Sequence, residues 1–162
     1  MRIAVGADDQ APVVDEVVAD LRRRGHKVEL FGALVPGADA RWPVVATVVA
    51  ERVARGDADE GVLFCHTGTG VSIAANKVPG VRAALCPDAE TARGARLWND
   101  ANILCMSLHS TPWTVAEEIV DTWLATRTPD PTEQGNIQYV NNLDAARSRS
   151  PQSKRKERPH DR

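Results

Sequence analysis

The sequence predicts an α/β protein, a Rossmann-like three-layer sandwich with a five-stranded parallel sheet. Short apolar runs typical of buried strands alternate along the chain with longer segments of helical periodicity. The central run, 61–65, leads through a glycine-rich turn directly into a helix-permissive segment, which is the usual order in a parallel sheet. Because parallel strands are joined by right-handed crossovers, this alternation indicates a doubly wound sheet.

Each element is located by its own pattern. Strands are predicted at 2–7, 27–31, 61–65, 81–86 and 103–106. Helices are predicted at 12–24, 44–55, 71–77, 88–98, 112–125 and 132–147. The first helix has Pro12 in its first turn and Gly25 just after its end, and Asp88 is expected to cap the fourth helix.

Length and charge favour one domain followed by a basic end. The 162 residues are 43% apolar, which is ordinary for a globular protein. The net charge of −2 combines an acidic body at 1–147 with a basic segment at 148–162, which contains Pro151 and Pro159 but no aromatic residue. We expect that segment to be a disordered, solvated tail, with a binding arm as the alternative. The acidic body argues against nucleic acid as the main partner.

The chain shows no sign of a membrane or secreted protein. No run approaches the roughly 20 apolar residues of a membrane span, and the first strand begins without a signal-peptide core. The cysteines, Cys65, Cys86 and Cys105, are odd in number and lie in or just after strand-like runs, which suggests reduced thiols. We therefore expect a cytoplasmic protein, without the Cys/His spacing of a zinc site.

The stretch GVLFCHTGTGVSIAANK, at 61–77, carries the candidate chemistry. Cys65 is expected at the carboxyl end of a strand, where open α/β sheets bind their ligands. Gly68 and Gly70 let a ligand approach the main chain, and the free amides of the helix start stabilise negative charge. A thiol in this position can act as a base or a nucleophile. The pattern is neither a P-loop nor GxGxxG, so a tight turn beside an inert cysteine stays open.

The string Cys-x-Thr-Gly-x-Gly followed by Ser-Ile-Ala-Ala-Asn-Lys resembles the signature of the type B ribose-5-phosphate isomerase family, which includes the galactose-6-phosphate isomerase subunits. The resemblance continues at 3–8, 42–43, 80–83 and 98–102, and covers about 1–147. It implies a Rossmann-like fold and a homodimer, or a dimer of dimers, with active sites at the subunit interface and the last helix reaching the partner. It also implies cofactor-free aldose–ketose isomerisation of a sugar or sugar phosphate through an enediolate.

The resemblance assigns roles to single positions. Cys65 matches the base of the thiol-using branch, and Val71 stands where another branch carries a glutamate base. Thr67 matches a hydroxyl implicated in ring opening, with a turn-stabilising role as the alternative. Asn99 matches a donor to the substrate, with a turn asparagine as the alternative. Asp8 should hold sugar hydroxyls, or else cap a helix.

Further substrate contacts are expected around these positions. The amides of the 67–70 turn, which includes Gly68, Thr69 and Gly70, would stabilise the enediolate oxygen. The aromatic rings expected to stack on the sugar, or else to pack in a core or interface, are those of Trp42, Trp98 and Tyr139.

His66 replaces a small residue of the signature. It could act as a second acid or base beside Cys65, forming an ion pair with the thiolate. Adjacent strand residues point to opposite faces, however, so the alternative is an exposed or core-packed side chain.

Several positions depart from the family pattern. Asp9 and Trp98 stand where the family has histidines, the second of them its proposed ring-opening group, and His109 stands for an arginine. Gly135 and Tyr139 align with two arginines that bind the phosphate. A dianion without these cations would be poorly compensated, and Asp9 would repel it. The sequence thus favours an unphosphorylated or differently substituted polyol.

Two other functions stay open at this point. The chain could act on a different α-hydroxycarbonyl compound in a specialised pathway, or it could be a non-catalytic binding homologue or partner subunit.

Overall fold

A single sheet of five parallel strands, in the order β2-β1-β3-β5-β4, forms the middle of the molecule. The computed structural model describes residues 1–148, so the predicted basic tail lies outside the described residues from 149 onward. The strands are β1 (Arg2–Ala7), β2 (Lys27–Gly32), β3 (Glu60–Cys65), β4 (Ala83–Leu85) and β5 (Ile103–Ser107). The helices are α1 (Pro12–Arg23), α2 (Trp42–Ala54), α3 (Thr69–Ala75), α4 (Ala89–Asn99), α5 (Trp113–Ala125) and α6 (Gln134–Ser148), the last preceded by a 3-10 turn (Pro131–Glu133).

Helices cover both faces of the sheet and give it two apolar cores. Alternate residues of β3 separate into these cores: Val62 and Phe64 pack on the side of α1, α4 and α5, while Leu63 and Cys65 pack on the side of α2 and α3. The predicted three-layer α/β sandwich with five parallel strands is thereby confirmed.

The types of the elements agree with the sequence prediction, and their ends differ by a few residues. Helix α3 begins at Thr69 instead of 71, because Gly68 takes a φ of 75° and precedes the helix directly. Strand β4 has three residues instead of the predicted six, since the amide of Val81 donates within a turn to the carbonyl of Val78. The predicted cap of α4 is confirmed, because Asp88 accepts a hydrogen bond from the amide of Thr91.

A buried polar network joins the amino end of β3 to α4 and α5. The guanidinium of Arg96 donates to Glu60 at 3.0 Å, and the indole nitrogen of Trp123 donates to the second Glu60 oxygen at 2.7 Å. Arg96 also donates to the carbonyls of Ala101 and Thr126. Both charged side chains are more than 90% buried, so each depends on the other for compensation.

We expect Glu60→Ala to lower the free energy of unfolding by about 3–5 kcal/mol, because it leaves Arg96 as an uncompensated buried charge. The matched control is Glu51→Ala, which breaks an exposed ion pair with Arg55; its expected cost is within about 1 kcal/mol. Equilibrium urea unfolding measures both. A loss below about 1 kcal/mol in Glu60→Ala would show that the network contributes little.

Candidate active site

Cys65 ends the central strand at the carboxyl edge of the sheet, as the sequence predicts. Its side chain is 5% exposed and lies in the apolar core that includes Val45 and Val71. Its carbonyl oxygen accepts from the amides of Gly68 at 3.2 Å and Leu108 at 3.0 Å. These two bonds fix the turn after β3 to the loop after β5, so the backbone that carries the thiol has a defined position.

The turn after Cys65 requires glycine at 68. Its φ of 75° is left-handed, and a Cβ there would lie 2.5 Å from Leu85 Cδ1 and 3.0 Å from the backbone of Met106. The Gly68 amide is bonded to the Cys65 carbonyl within the turn. Of the predicted oxyanion donors, the amides of Thr69 and Gly70 belong to the first turn of α3, where helix geometry gives them no intrahelical acceptor.

Two hydroxyls and one indole surround that first turn. Thr67 Oγ1 and Thr69 Oγ1 lie 2.7 Å apart and share one hydrogen bond, in which either hydroxyl can be the donor. The ring of Trp42, the first residue of α2, lies against Gly70, where a Cβ would be 3.1 Å from Trp42 Cε3. Trp42 thus covers the backbone beside the candidate oxyanion donors while staying 44% exposed.

A cavity of about 480 Å³ opens at the same edge of the sheet. It is lined by Asp8, Asp9, Gln10, Ala11, His66, Leu108 and His109. His66 is exposed, and its ring centroid lies 5.0 Å from that of His109. The exposed position of His66 agrees with strand alternation, and its described ring contact is with His109.

Asp8 lines this cavity, and one of its carboxylate oxygens lacks a hydrogen-bond partner in the described part of the chain. Among the described residues Asp8 Oδ1 is buried and has no hydrogen-bond partner. Burial raises the pKa of Asp8 above its ordinary value, and the neighbouring Asp9 carboxylate adds to the increase. The capping alternative for Asp8 is wrong, because the residue that precedes α1 is Ala11. An orphaned acceptor of this kind is suited to a hydroxyl of a ligand.

Trp98, Asn99 and Tyr139 do not lie with the other predicted site residues of the same chain. Asn99 ends α4 and leads into the amino end of β5, whereas Cys65 is at the carboxyl end of β3. Strand β5 runs between those two edges, and its ends are about 13 Å apart at about 3.3 Å per residue. Trp98 and Asn99 line a separate groove of about 820 Å³ beside α6.

Tyr139 and Asn99 belong to the two helices beside this groove, α6 and α4. Tyr139 is 67% exposed on α6. The turn-asparagine alternative for Asn99 is wrong, because the left-handed residue is its neighbour Asp100, with a φ of 48°.

Three of the four arginines that could compensate a phosphate are already engaged, and the side chain of the fourth, Arg147, lies outside the described part of the structure. Arg41 bonds to Asp39, Arg93 bonds to Glu90, and Arg96 belongs to the buried network with Glu60. No lysine or arginine is among the residues that line the 480 Å³ cavity in the described part of the chain.

Two other kinds of feature are absent from residues 1–148. They contain no group of three or more His, Cys, Asp or Glu side chains arranged to hold a metal ion. They also contain no helix with the length and apolar character needed to cross a membrane.

Comparison with known proteins decides the family. A profile of the family described as Ribose/Galactose Isomerase matches residues 3–140. The chain belongs to the ribose/galactose isomerase family. The resemblance read from 65–77 is thereby confirmed, and so is the predicted class of enzyme, an aldose–ketose isomerase.

Three similar proteins show how much of this isomerase is shared. Ribose-5-phosphate isomerase B of Escherichia coli is 34% identical over 148 residues, which are 91% of this chain and 99% of that protein. Galactose-6-phosphate isomerase subunit LacB of Clostridium acetobutylicum is 34% identical over 145 residues, covering 89% of this chain and 82% of that protein. The structure of Clostridium thermocellum ribose-5-phosphate isomerase B has a TM-score of 0.84 at 34% identity and covers 91% and 99% of the two chains.

Sequence reasoning did not bring His109 into the site as a neighbour of His66. The available signal was topological: β3 and β5 are parallel and adjacent, so the residues after their carboxyl ends meet at one edge.

Proposed function

We propose that this isomerase moves a proton between C1 and C2 of an open-chain sugar, with Cys65 as the base. The observation that carries the proposal is the position of the thiol, buried at the end of the central strand beside a glycine turn that leads into α3, whose first-turn amides have no acceptor within the helix. The Cys65 thiolate takes the proton from C2 of the aldose, and the C2 electron pair forms the enediolate. The thiol then returns the proton to C1, while a hydroxyl proton passes from O2 to O1.

The surroundings of Cys65 supply the other requirements of this reaction. The amides of Thr69 and Gly70 are the donors for the enediolate oxygen. Asp8 Oδ1, buried and unpartnered among the described residues, accepts from a sugar hydroxyl. Thr67 is placed to exchange a proton with the sugar through its hydroxyl pair with Thr69. All of these are protein groups, so the proposed reaction uses no metal or organic cofactor.

The other two cysteines are poor candidates for the base. Burial raises the pKa of Cys86 to about 12, and burial also raises the pKa of Cys105. Both therefore stay protonated. A base that acts as a thiolate has to remain reduced, which supports a cytoplasmic location for the enzyme.

We also propose that the active site is completed by a second copy of the chain, in a homodimer or a dimer of dimers. Asn99 and Trp98 lie at the amino edge of the sheet, away from Cys65 of the same chain. Helix α6 carries Tyr139, Val140 and Leu143, which are between 46% and 67% exposed. A partner packed on that apolar surface would place its own Asn99 and Tyr139 against the Cys65 turn.

The experiment that tests the function is hydrogen exchange in D₂O. The protein is incubated with ribose 5-phosphate, ribose, allose and other phosphorylated and free sugars, and deuterium at C1 and C2 is followed by NMR. We expect enzyme-dependent incorporation with at least one sugar, since exchange reports enediolate formation even when net turnover is slow. Absence of exchange across the panel would favour a non-catalytic homologue.

Mixing two inactive variants tests whether the site is shared between subunits. We expect Cys65→Ala and Asn99→Ala each to be inactive alone and active when refolded together. Random pairing makes half of the dimers mixed, and each mixed dimer has one intact site out of two, so about a quarter of wild-type activity should return. No recovery, with mixed dimers confirmed by differential tagging, would place Cys65 and Asn99 in the same chain's site or in separate functions.

A further inference from the structure

We propose that His66, His109, Asp8 and Asp9 form a subsite for the end of the substrate remote from the reacting carbons. It takes a group that donates hydrogen bonds, either a hydroxyl or an ammonium, and it excludes a phosphate. This inference rests on the proposed isomerase function and specifies the substrate class for the same site.

Hydrogen bonds to the backbone hold the two loops of the subsite together. Ser107 Oγ donates to the carbonyl of His66 at 2.8 Å, and the amide of His109 donates to the same oxygen at 3.0 Å. The Ser107 hydroxyl in turn accepts from the amides of His109 and Ser110. The loops after β3 and β5 are therefore fixed to each other, and the centroids of the two imidazoles lie 5.0 Å apart.

The same bonds relate the subsite to the thiol. Cys65 directly precedes His66, and its carbonyl accepts from the amide of Leu108, which is another residue of the cavity wall. Cys65 itself is not among the residues that line the 480 Å³ cavity, but the next residue, His66, is, and this volume is large enough for several carbons of a sugar. In the proposed pose C2 of the ligand lies at the thiol and the far end extends between the imidazoles and the carboxylates.

The charges of the lining select the group at that end. The wall contains two carboxylates and two imidazoles, and no lysine or arginine is among its described residues. Carboxylates only accept hydrogen bonds when ionised, and Asp8 Oδ1 is buried without a donor among the described residues. A hydroxyl or an ammonium supplies the missing donor. A phosphate brings further acceptors and negative charge beside Asp8 and Asp9, which is unfavourable without a cation.

The imidazoles complete the recognition by being able to donate or accept. Each neutral ring has one donor and one acceptor nitrogen, so the pair adapts to the orientation of a ligand hydroxyl.

The side-chain amide of Gln10 is directed to the carbonyl of Ala33 at 3.1 Å, and Asp9 Oδ1 accepts from the Gln10 backbone amide at 2.8 Å. The second Asp9 oxygen is the acceptor that we assign to the ligand.

The test is a specificity switch by the double variant Asp9→Asn with His109→Arg. The substitutions remove one negative charge and add a guanidinium, which pairs with phosphate in a bidentate manner. We measure kcat/KM for ribose 5-phosphate, ribose and 5-amino-5-deoxyribose, the last to separate an ammonium from a hydroxyl. The ratio of ribose 5-phosphate to ribose should rise by about a hundredfold or more, given about tenfold or more for each charge change. Asp57→Asn, the same substitution at the opposite edge of the sheet, should leave the ratio unchanged.

A binding measurement keeps the inference testable without turnover. Thermal unfolding with ribose 5-phosphate or inorganic phosphate should show no stabilisation of the wild-type protein and clear stabilisation of the double variant. An unchanged specificity ratio, or no stabilisation of the double variant by phosphate, would overturn the subsite. In that case deuterium exchange dependent on Cys65 would still stand, so failure of the subsite is distinct from failure of the isomerase proposal.

Discussion

Replacing Cys65 with alanine is expected to lower kcat/KM for isomerisation by about a hundredfold to ten thousandfold, the contribution typical of a positioned general base. The size of the effect follows from the absence of a substitute at this position. Val71, where a carboxylate base would stand in another branch of the family, is an apolar and fully buried residue. The titratable side chains of His66 and Asp8 line the 480 Å³ cavity, and Cys65 is not among its lining residues.

The control for this prediction is Cys86→Ala, which removes a buried thiol from the opposite core of the sheet. We expect its activity to stay within a few-fold of wild type, and we expect circular dichroism and sedimentation to show the same fold and assembly for both variants. If Cys65→Ala keeps activity within a few-fold of wild type, Cys65 is not the base, and His66 and Asp8 become the groups to replace.

Ribose 5-phosphate is expected to be a poor substrate, with kcat/KM below about 10⁴ M⁻¹s⁻¹, the lower end of the ordinary enzyme range. Charge-assisted hydrogen bonds contribute about 1.5–3 kcal/mol each. By the resemblance to the family, Gly135 and Tyr139 stand at the positions of two such arginines. Losing two or three contacts weakens the transition state by several orders of magnitude, since about 1.4 kcal/mol corresponds to a factor of ten.

The structure strengthens this expectation, because Arg41, Arg93 and Arg96 each have a carboxylate partner elsewhere. The measurement is steady-state kinetics on ribose 5-phosphate against ribose and allose. All three proteins compared above are named for phosphorylated sugars. A kcat/KM on ribose 5-phosphate well above the stated limit would therefore place this chain among conventional sugar-phosphate isomerases and refute the altered pocket.

Local patterns explain why so much of the fold could be predicted from the sequence. Strand β1 is a short, nearly continuous apolar run, and α1 has apolar residues on one face only. The length and the periodicity of these apolar patterns identify the first as a strand and the second as a helix. The ends of α3 and β4 were less predictable, because they depend on the backbone angle of Gly68 and on the turn before β4. The contact of Glu60 with Arg96 and Trp123 joins three distant segments, and it left no local signal.

The candidate site also has a part that a local motif predicts and a part that depends on the topology of the sheet. The turn that follows Cys65 is one continuous segment, so its motif identified the thiol and the glycines together. His66 and His109 lie on different loops and meet only because β3 and β5 are neighbours. Asn99 illustrates the reverse case: its motif suggested a shared site, but the topology places it at the other edge of the sheet within one chain.

Deuterium exchange at C2 of the sugar, measured for wild type, Cys65→Ala and Cys86→Ala, tests the central claim most directly. It reports proton abstraction from the open-chain sugar without requiring release of the ketose product, which also limits net isomerisation. If Cys65 is the base, exchange falls by about a hundredfold or more in Cys65→Ala and persists in Cys86→Ala. Exchange in Cys65→Ala at a rate close to wild type would contradict the assignment of Cys65 as the base.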